Sequence, residues 1–200
     1  MDENTVSTLA AADREVALAT VVAAFAADPV ERWLYPADEE YERHFPEFAA
    51  AFGGRAFDGG TAWALGGGAA VALWLAPGTE PDGDAIADVL TRTVAAEKHE
   101  ELFAVLGQMD AAHFDEPHWY LPWLAVEPRR QGAGLGGRLL AHCLEVVDDS
   151  GLPAFLETPN PRNVGLYERH GFEVVAVTES SSCPPLTSML RPAEGTRSSL

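Results

Sequence analysis

The chain has 200 residues, of which 47% are hydrophobic and 22% charged, and its formal net charge is −18 at pH 7. This size and composition predict a single folded domain over residues 1–192, followed by a flexible tail over residues 193–200. The excess of acidic residues excludes binding to nucleic acid through a basic patch, and it also opposes binding to anionic membranes.

The first half of the chain predicts helices arranged around one β-hairpin. Asp28 and Pro29 are expected to end the first helix, and residues 28–35 between the first two helices are predicted to be a link of polar and aromatic residues. Two short apolar runs, 61–65 and 69–75, flank three consecutive glycines and predict the hairpin. Asp84 is the expected N-cap of the third helix. Apolar residues at helical spacing place the three helices over 13–27, 37–52 and 84–106.

The second half alternates strands and helices, which is typical of a mixed α/β fold. Residues 119–126 are apolar almost without alternation, so we expect a buried central strand. The other predicted elements are a helix over 134–149, a strand over 154–156, a helix over 163–170, and closing strands over 172–177 and 185–190.

Neither a secretory signal nor a membrane span is visible in the sequence. The start, MDEN, lacks a basic and then apolar pattern, and glycines interrupt the most apolar stretch, residues 62–77. Cys143 and Cys183 lie far apart and predict neither a zinc site nor a disulfide scaffold. We therefore expect a cytoplasmic protein without a bound metal.

The composition of the basic residues supports two interpretations of the charge. Of the 13 Lys and Arg residues, Lys98 is the single lysine. Acid-rich, lysine-poor proteins resemble those of salt-loving microbes, in which carboxylates keep the protein soluble while salt screens their repulsion. The alternative is an acidic protein from a high-GC genome without salt adaptation.

Residues 131–137, QGAGLGG, follow a predicted strand and open a predicted helix. Glycines allow the backbone to approach a ligand, and the free N–H groups at a helix N-terminus bind phosphate. Three motifs match in part. A P-loop is opposed by Arg138 and Leu139, which stand where Lys and Ser/Thr are needed. A dinucleotide fingerprint is opposed by length, since 63 residues after Gly137 are too few for the rest of such a domain.

The third motif is the acyl-CoA pyrophosphate loop, Gln/Arg-x-x-Gly-x-Gly/Ala, and Gln131, Gly134 and Gly136 satisfy it. Residues 126–140, VEPRRQGAGLGGRLL, resemble the central signature of the GCN5-related N-acetyltransferase (GNAT) family. Residues 160–172, NPRNVGLYERHGF, resemble its second signature. Within the family, the segment from Leu156 onward is similar to the puromycin N-acetyltransferase subgroup. The first half departs more, so the acceptor does not carry over.

The resemblance implies the GNAT acyl-CoA N-acyltransferase fold and acetyl-CoA as cofactor. This fold has a central mixed, mostly antiparallel sheet of about six to seven strands, with flanking helices and one splayed strand pair. Pantetheine is expected along the first splayed strand and the pyrophosphate on the glycine loop. Asn160 and Asn163 are expected to divide coenzyme contact and helix capping between them. The implied coenzyme-binding positions are Leu124, Ala125, Val126, Gln131, Gly132, Ala133, Gly134, Leu135, Gly136, Gly137, Asn160, Asn163 and Tyr167.

The resemblance also implies direct attack of an amine on the thioester. Tyr167 stands where the family places the general acid, and a phenol suits protonation of the leaving thiolate. Glu157 is one candidate for the base, and it would either accept the proton or attract a cationic substrate. The alternative is that Glu157 is a structural carboxylate. His118 is a second candidate because histidine titrates in the right range. Weaker base candidates are His113 and Asp110. Four aromatic residues are expected either to line an acceptor pocket or to fill the core: Trp33, Tyr35, Trp119 and Trp123.

The leading hypothesis is an acetyl-CoA-dependent N-acetyltransferase acting on a small-molecule amine, as a monomer or homodimer. Two alternatives stay open at this point. One is a protein or peptide N-acetyltransferase, and the other is an acyl-CoA-binding sensor without turnover.

Overall fold

The computed structural model describes residues 5–114 and 116–193, which form a seven-stranded sheet with helices on both faces. The strand order is β1-β2-β3-β4-β5-β7-β6. All neighbouring strands are antiparallel except β4 and β5. The strands are β1 (Val6–Thr8), β2 (Ala62–Leu65), β3 (Ala70–Leu75), β4 (Trp119–Val126), β5 (Ala154–Thr158), β6 (Glu173–Thr178) and β7 (Leu186–Arg191). The predicted mixed, mostly antiparallel sheet is therefore confirmed.

Eight α-helices occur in the described residues, and short 3₁₀ turns precede α1, α6 and the loop before α7. The helices are α1 (Arg14–Phe25), α2 (Pro29–Leu34), α3 (Asp38–Gly53), α4 (Arg55–Asp58), α5 (Gly83–Thr93), α6 (His99–Ala112), α7 (Leu135–Ser150) and α8 (Pro161–Glu168). None of these helices is both long enough and apolar enough to span a bilayer.

The sheet separates two hydrophobic cores, and β3 contributes to both. Successive side chains of a strand point to opposite faces. Val71, Leu73 and Leu75 accordingly pack with α1, α3 and α5, whereas Ala72 and Trp74 pack with α7 on the other face. Burial on both faces explains why β3 and β4 are apolar without alternation, and it confirms the predicted central position of β4.

The segment 28–35 was predicted to be a link, and this prediction is wrong. Asp28 Oδ1 accepts hydrogen bonds from the backbone N–H groups of Val30 (3.0 Å) and Glu31 (3.4 Å). Pro29 occupies the first position of α2, where its missing N–H costs nothing. The Asp-Pro pair that we interpreted as the end of α1 is thus also the start of another helix.

The single long helix predicted over 84–106 is also wrong, because the chain forms two helices there. Val94 has extended backbone (ψ 144°) and ends α5, and its side chain is buried in the core. The N-cap is Asp82, whose Oδ1 accepts from Ala85 N–H at 3.2 Å, instead of Asp84. Burial of the β-branched Val94 outweighs the helical periodicity that continues through it.

Three further outcomes concern the chain ends and the cysteines. The edge strand β1, which pairs antiparallel with β2, was not predicted because three residues carry no usable pattern. Of the predicted tail, residues 194–200 lie outside the described residues, and the single-domain boundary stays a prediction. Cys143 and Cys183 are buried free thiols, and the cytoplasmic location stays a prediction.

Candidate active site

The two central parallel strands separate after a short paired segment. β4 and β5 pair at Trp119–Ala154 and Tyr120–Phe155 and not beyond. On its other side, β4 stays paired with β3 up to Val126, with an irregularity opposite Trp74. Pro122 lies in this irregular stretch and has no N–H to donate. The remaining edge of β4 therefore has no strand partner on the β5 side, which confirms the expected splayed pair.

The glycine loop lies between the end of β4 and the start of α7. Gly132 and Gly134 have φ values of 77° and 78°, in the left-handed region that favours glycine. A Cβ added at either position would meet no atom within 4 Å, so both glycines border open space. Gly134 is the N-cap of α7 and provides no side-chain cap. The first-turn N–H groups lie next to these two glycines, at the positive end of a 16-residue helix.

Contacts around the loop hold it against the end of β4. A Cβ on Gly136 would lie 3.3 Å from Cγ2 of Val126, so the first turn of α7 packs closely on that residue. Gln131 Nε2 donates a hydrogen bond to the Val126 carbonyl at 3.2 Å. The loop and the unpaired edge of β4 consequently form one continuous surface.

A buried carboxylate lies at the point where the two strands separate. Tyr120 donates its hydroxyl proton to Glu157 Oε2 at 2.9 Å, and Glu157 Oε1 is buried without a hydrogen-bond partner. Burial, together with the adjacent carboxylate, raises the pKa of Tyr120 well above its ordinary value. Tyr120 was not among the predicted site residues. The available signal was its polar tip within an otherwise apolar strand, because a buried tyrosine hydroxyl needs a partner.

Of the two histidines near Glu157, the weaker base candidate lies closer to the carboxylate. His113, a weaker candidate in the sequence, has its Nε2 3.8 Å from Glu157 Oε2. His118 lies behind it, with ring centroids 5.5 Å apart, and its Nδ1 donates to the Glu116 carbonyl at 2.9 Å. Burial lowers the pKa of His118. Both histidines, Glu157 and Asp110 line an open cleft of about 570 Å³.

A second cavity lies between the separated strands and helices α2 and α6. Its volume is about 80 Å³, and its walls are mostly apolar. Glu157, Tyr120 and Tyr167 all line it. The ring of Tyr167 packs edge-on against Phe172 with centroids 5.9 Å apart, and burial raises the pKa of the Tyr167 phenol. Tyr167 therefore keeps its proton at neutral pH, next to the same space as the Glu157 carboxylate.

The remaining predicted residues divide between capping, core and cavity. Asn160 caps α8 through Oδ1, which accepts from Arg162 N–H at 3.1 Å, while Asn163 is exposed in the first turn. Tyr35 is buried and shares a 2.8 Å hydrogen bond with Thr93. Of the other aromatics, Trp119 packs in the core beside α7, whereas Trp33 and Trp123 line the smaller cavity. In the described part of the chain, no cluster of three or more His, Cys, Asp or Glu residues could hold a metal ion.

Comparison with known proteins agrees with this architecture. A model of the Acetyltransferase (GNAT) family matches residues 30–172. An uncharacterized N-acetyltransferase of Schizosaccharomyces pombe is 31% identical over 83 residues, which is 40% of this chain and 34% of the relative. The match thus spans about a third of that curated relative's length. The resemblance to the puromycin subgroup stays a prediction.

Solved structures of similar fold cover nearly the whole chain. A histone acetyltransferase HPA2 and related acetyltransferase from Corynebacterium glutamicum has a TM-score of 0.62 at 23% identity, covering 96% of this chain and 97% of its own. Arylalkylamine N-acetyltransferase 2 from Aedes aegypti has a TM-score of 0.64 at 14% identity, covering 94% and 98%. A Drosophila melanogaster polyamine N-acetyltransferase has a TM-score of 0.60 at 16% identity, covering 93% and 98%. These likenesses concern the fold, and with the family match over residues 30–172 they establish that the chain belongs to the GNAT acetyltransferase family.

Proposed function

We propose that this chain transfers the acetyl group of acetyl-CoA to the amine of a small molecule. The observation that carries the proposal is the continuity of the unpaired edge of β4 with the uncapped, glycine-rich N-terminus of α7. An extended amide-bearing chain that ends in phosphates fits both parts of this surface, since the strand edge offers backbone hydrogen bonds and the helix end offers N–H donors.

The coenzyme positions follow from this surface. The backbone of Leu124, Ala125 and Val126 would pair with the pantetheine amides. The N–H groups of residues 131–137 would hold the pyrophosphate, and the open space at Gly132 and Gly134 leaves room for it. A helix end suits this role because a chain of net charge −18 otherwise repels polyanions. Asn163, exposed in the first turn of α8, is the asparagine left free to contact the coenzyme.

The chemistry uses the two polar groups that border the smaller cavity. A neutral amine attacks the thioester carbonyl, a C–N bond forms and the C–S bond breaks. The nitrogen loses a proton to the unpartnered Glu157 Oε1, while Tyr120 holds the other oxygen in place. Tyr167 gives a proton to the departing thiolate. A phenol of ordinary pKa about 10 carries its proton at neutral pH, and burial raises the pKa of Tyr167 further.

His113 and His118 lie beside Glu157 at the open cleft. His113 Nε2 is 3.8 Å from the carboxylate, the His118 ring centroid is 5.5 Å from that of His113, and both rings line the cleft. Imidazoles relay protons near neutral pH. We therefore assign the pair to removal of the proton from Glu157, with His118 as the outer member and not as the base itself.

The cavity favours a small amine over a peptide. Its volume of about 80 Å³ is several times the roughly 10–15 Å³ needed for one water molecule, and it lies among buried side chains of α2, α6 and β4. Two fold neighbours, an arylalkylamine N-acetyltransferase and a polyamine N-acetyltransferase, are consistent with a small acceptor. A protein acceptor and a sensor without turnover are the competing hypotheses.

The test is calorimetry with acetyl-CoA followed by an amine panel that monitors thiol release, at low and high salt. We expect coenzyme binding and turnover of at least one small amine. Binding without turnover of any amine would indicate the sensor, and turnover restricted to peptides would indicate the protein acetyltransferase. Absence of acetyl-CoA binding would contradict the whole proposal.

A further inference from the structure

Helix α2 brings a second carboxylate into the smaller cavity. Glu31 is 5% exposed, lines this cavity, and has no hydrogen-bond partner for its Oε2 atom. The neighbouring cations are engaged elsewhere. Arg32 pairs with Asp38 at 2.6 Å, and Lys98 donates to the Trp33 carbonyl. Glu31 therefore faces the cavity without a neutralising partner among the described residues.

Keeping a buried carboxyl ionised without a partner is costly, and a ligand of opposite charge offsets this cost when it binds. A second carboxyl oxygen in the cavity, Glu157 Oε1, is also buried without a hydrogen-bond partner, while Oε2 of the same group accepts from Tyr120 and lies 3.8 Å from His113 Nε2. Glu157 lies on β5 where the strands separate, and Glu31 lies on α2. Most of the surface around them is apolar and includes Trp33, Phe52, Leu102, Leu106, Met109 and Trp123.

We propose that the acetyl acceptor carries two basic groups joined by an apolar spacer, and that Glu31 binds the group that is not acetylated. This inference rests on the proposed function, in which Glu157 faces the reacting amine. The apolar wall accepts the spacer, Glu31 gains the cation that no described residue supplies, and Glu157 Oε1 faces the other amine. Glu31 is then a specificity-determining residue, because a monoamine leaves it buried and unpaired.

The ionisable groups that interact with Glu31 are all acids. Asp28 caps the same helix, Tyr35 ends it, Tyr41 approaches from α3, and Cys183 approaches from the loop before β7. Burial, reinforced by the Asp28 carboxylate, raises the pKa of Glu31 well above its ordinary value. The protonated form is therefore favoured before a ligand arrives, and binding of a dication releases a proton from Glu31.

The experiment compares cadaverine with pentylamine, which share the same chain length and differ in one amino group. The wild-type protein, Glu31→Gln and the control Glu42→Gln are assayed for kcat/KM with each amine at saturating acetyl-CoA. Glu42 is an exposed residue of α3, so Glu42→Gln makes the same chemical change at the surface. The pentylamine rate within each variant serves as the internal reference for folding.

We expect the wild type to prefer cadaverine by about 10- to 100-fold, as for a hydrogen bond to a charged group. Glu31→Gln should remove this preference, whereas Glu42→Gln should retain it. Calorimetry in buffers of different ionisation enthalpy should show more protons released on cadaverine binding by the wild type than by Glu31→Gln.

Equal kcat/KM for the two amines in the wild type, or a preference that survives in Glu31→Gln, would overturn the inference. Calorimetry separates this failure from failure of the proposed function. Cadaverine binding that depends on Glu31, with no thiol released from acetyl-CoA by any amine, would keep the cation site and refute the transferase. If cadaverine is neither bound nor acetylated, the inference falls.

Discussion

The two ends of helix α7 allow the coenzyme site to be tested against a matched control. Gly134 starts this helix at φ 78° and Gly151 ends it at φ 67°, and a Cβ at either position would meet no atom within 4 Å. Alanine in the left-handed region costs about 1–2 kcal/mol. Gly134→Ala and Gly151→Ala should therefore destabilise the protein equally, with a Tm lowered by roughly 2–8 °C in each.

The two variants should differ in their affinity for acetyl-CoA. A shift of the backbone at Gly134 misplaces the N–H groups of the first turn, and one lost hydrogen bond to a phosphate weakens binding by about 10- to 100-fold. Gly151 lies at the far end of the helix, so its variant should bind as the wild type does. Calorimetry measures the affinity and differential scanning calorimetry measures the Tm. Equal affinities for the two variants would refute the assignment of the loop to the pyrophosphate.

Three further tests concern the proposed acid Tyr167, the buried carboxyl of Asp28 and the hydrophobic core. Tyr167→Phe should lower kcat by about 100-fold or more while the affinity for acetyl-CoA changes little. The control is Tyr41→Phe, which loses a 2.7 Å hydrogen bond to the Val22 carbonyl and should leave kcat unchanged. Burial raises the pKa of Asp28 to about 6, so the folded protein keeps a proton that the unfolded chain loses, and stability should fall as the pH rises from about 4 to 6. Asp28→Asn retains an N-cap and should reduce this fall in urea unfolding, and an unchanged pH profile would contradict the assignment. Leu140→Ala removes a fully buried side chain and should cost about 2–5 kcal/mol, whereas the exposed Val146→Ala should change the unfolding free energy by less than about 0.5 kcal/mol.

Much of the strand, loop and helix proposed to hold the coenzyme could be predicted because the determinants of these elements are local. The glycines of residues 131–137, the apolar strand before them and the periodic helix after them are adjacent in the chain. The turn that they form depends on backbone freedom and helix-end chemistry, which act within a few residues. The structure places these elements within one or two residues of the predicted bounds.

The errors occurred where packing outweighs local pattern. Val94 continues a helical periodicity, yet its burial in extended conformation divides the predicted helix in two. Asp28 and Pro29 are also typical of a helix N-terminus, but we interpreted them only as the end of α1 and missed the start of α2.

The arrangement of the proposed acid–base groups depended on contacts that no local pattern reveals. Glu157 meets Tyr120, which is 37 residues away in the chain, and the histidine nearest to its carboxylate is His113, a weaker base candidate than His118 in the sequence. Strand pairing determines which face of β4 carries the Tyr120 hydroxyl. The path of the loop after α6 determines which histidine reaches the Glu157 carboxylate.

The amino-acid sequence by itself determined the strand–loop–helix that we propose to hold the coenzyme, because backbone conformation and periodicity are properties of neighbouring residues. The tertiary structure alone decided which carboxylates become buried and lose their partners. Burial and electrostatic pairing arise when distant segments pack, as when α2 and β5 bring Glu31 and Glu157 to one cavity.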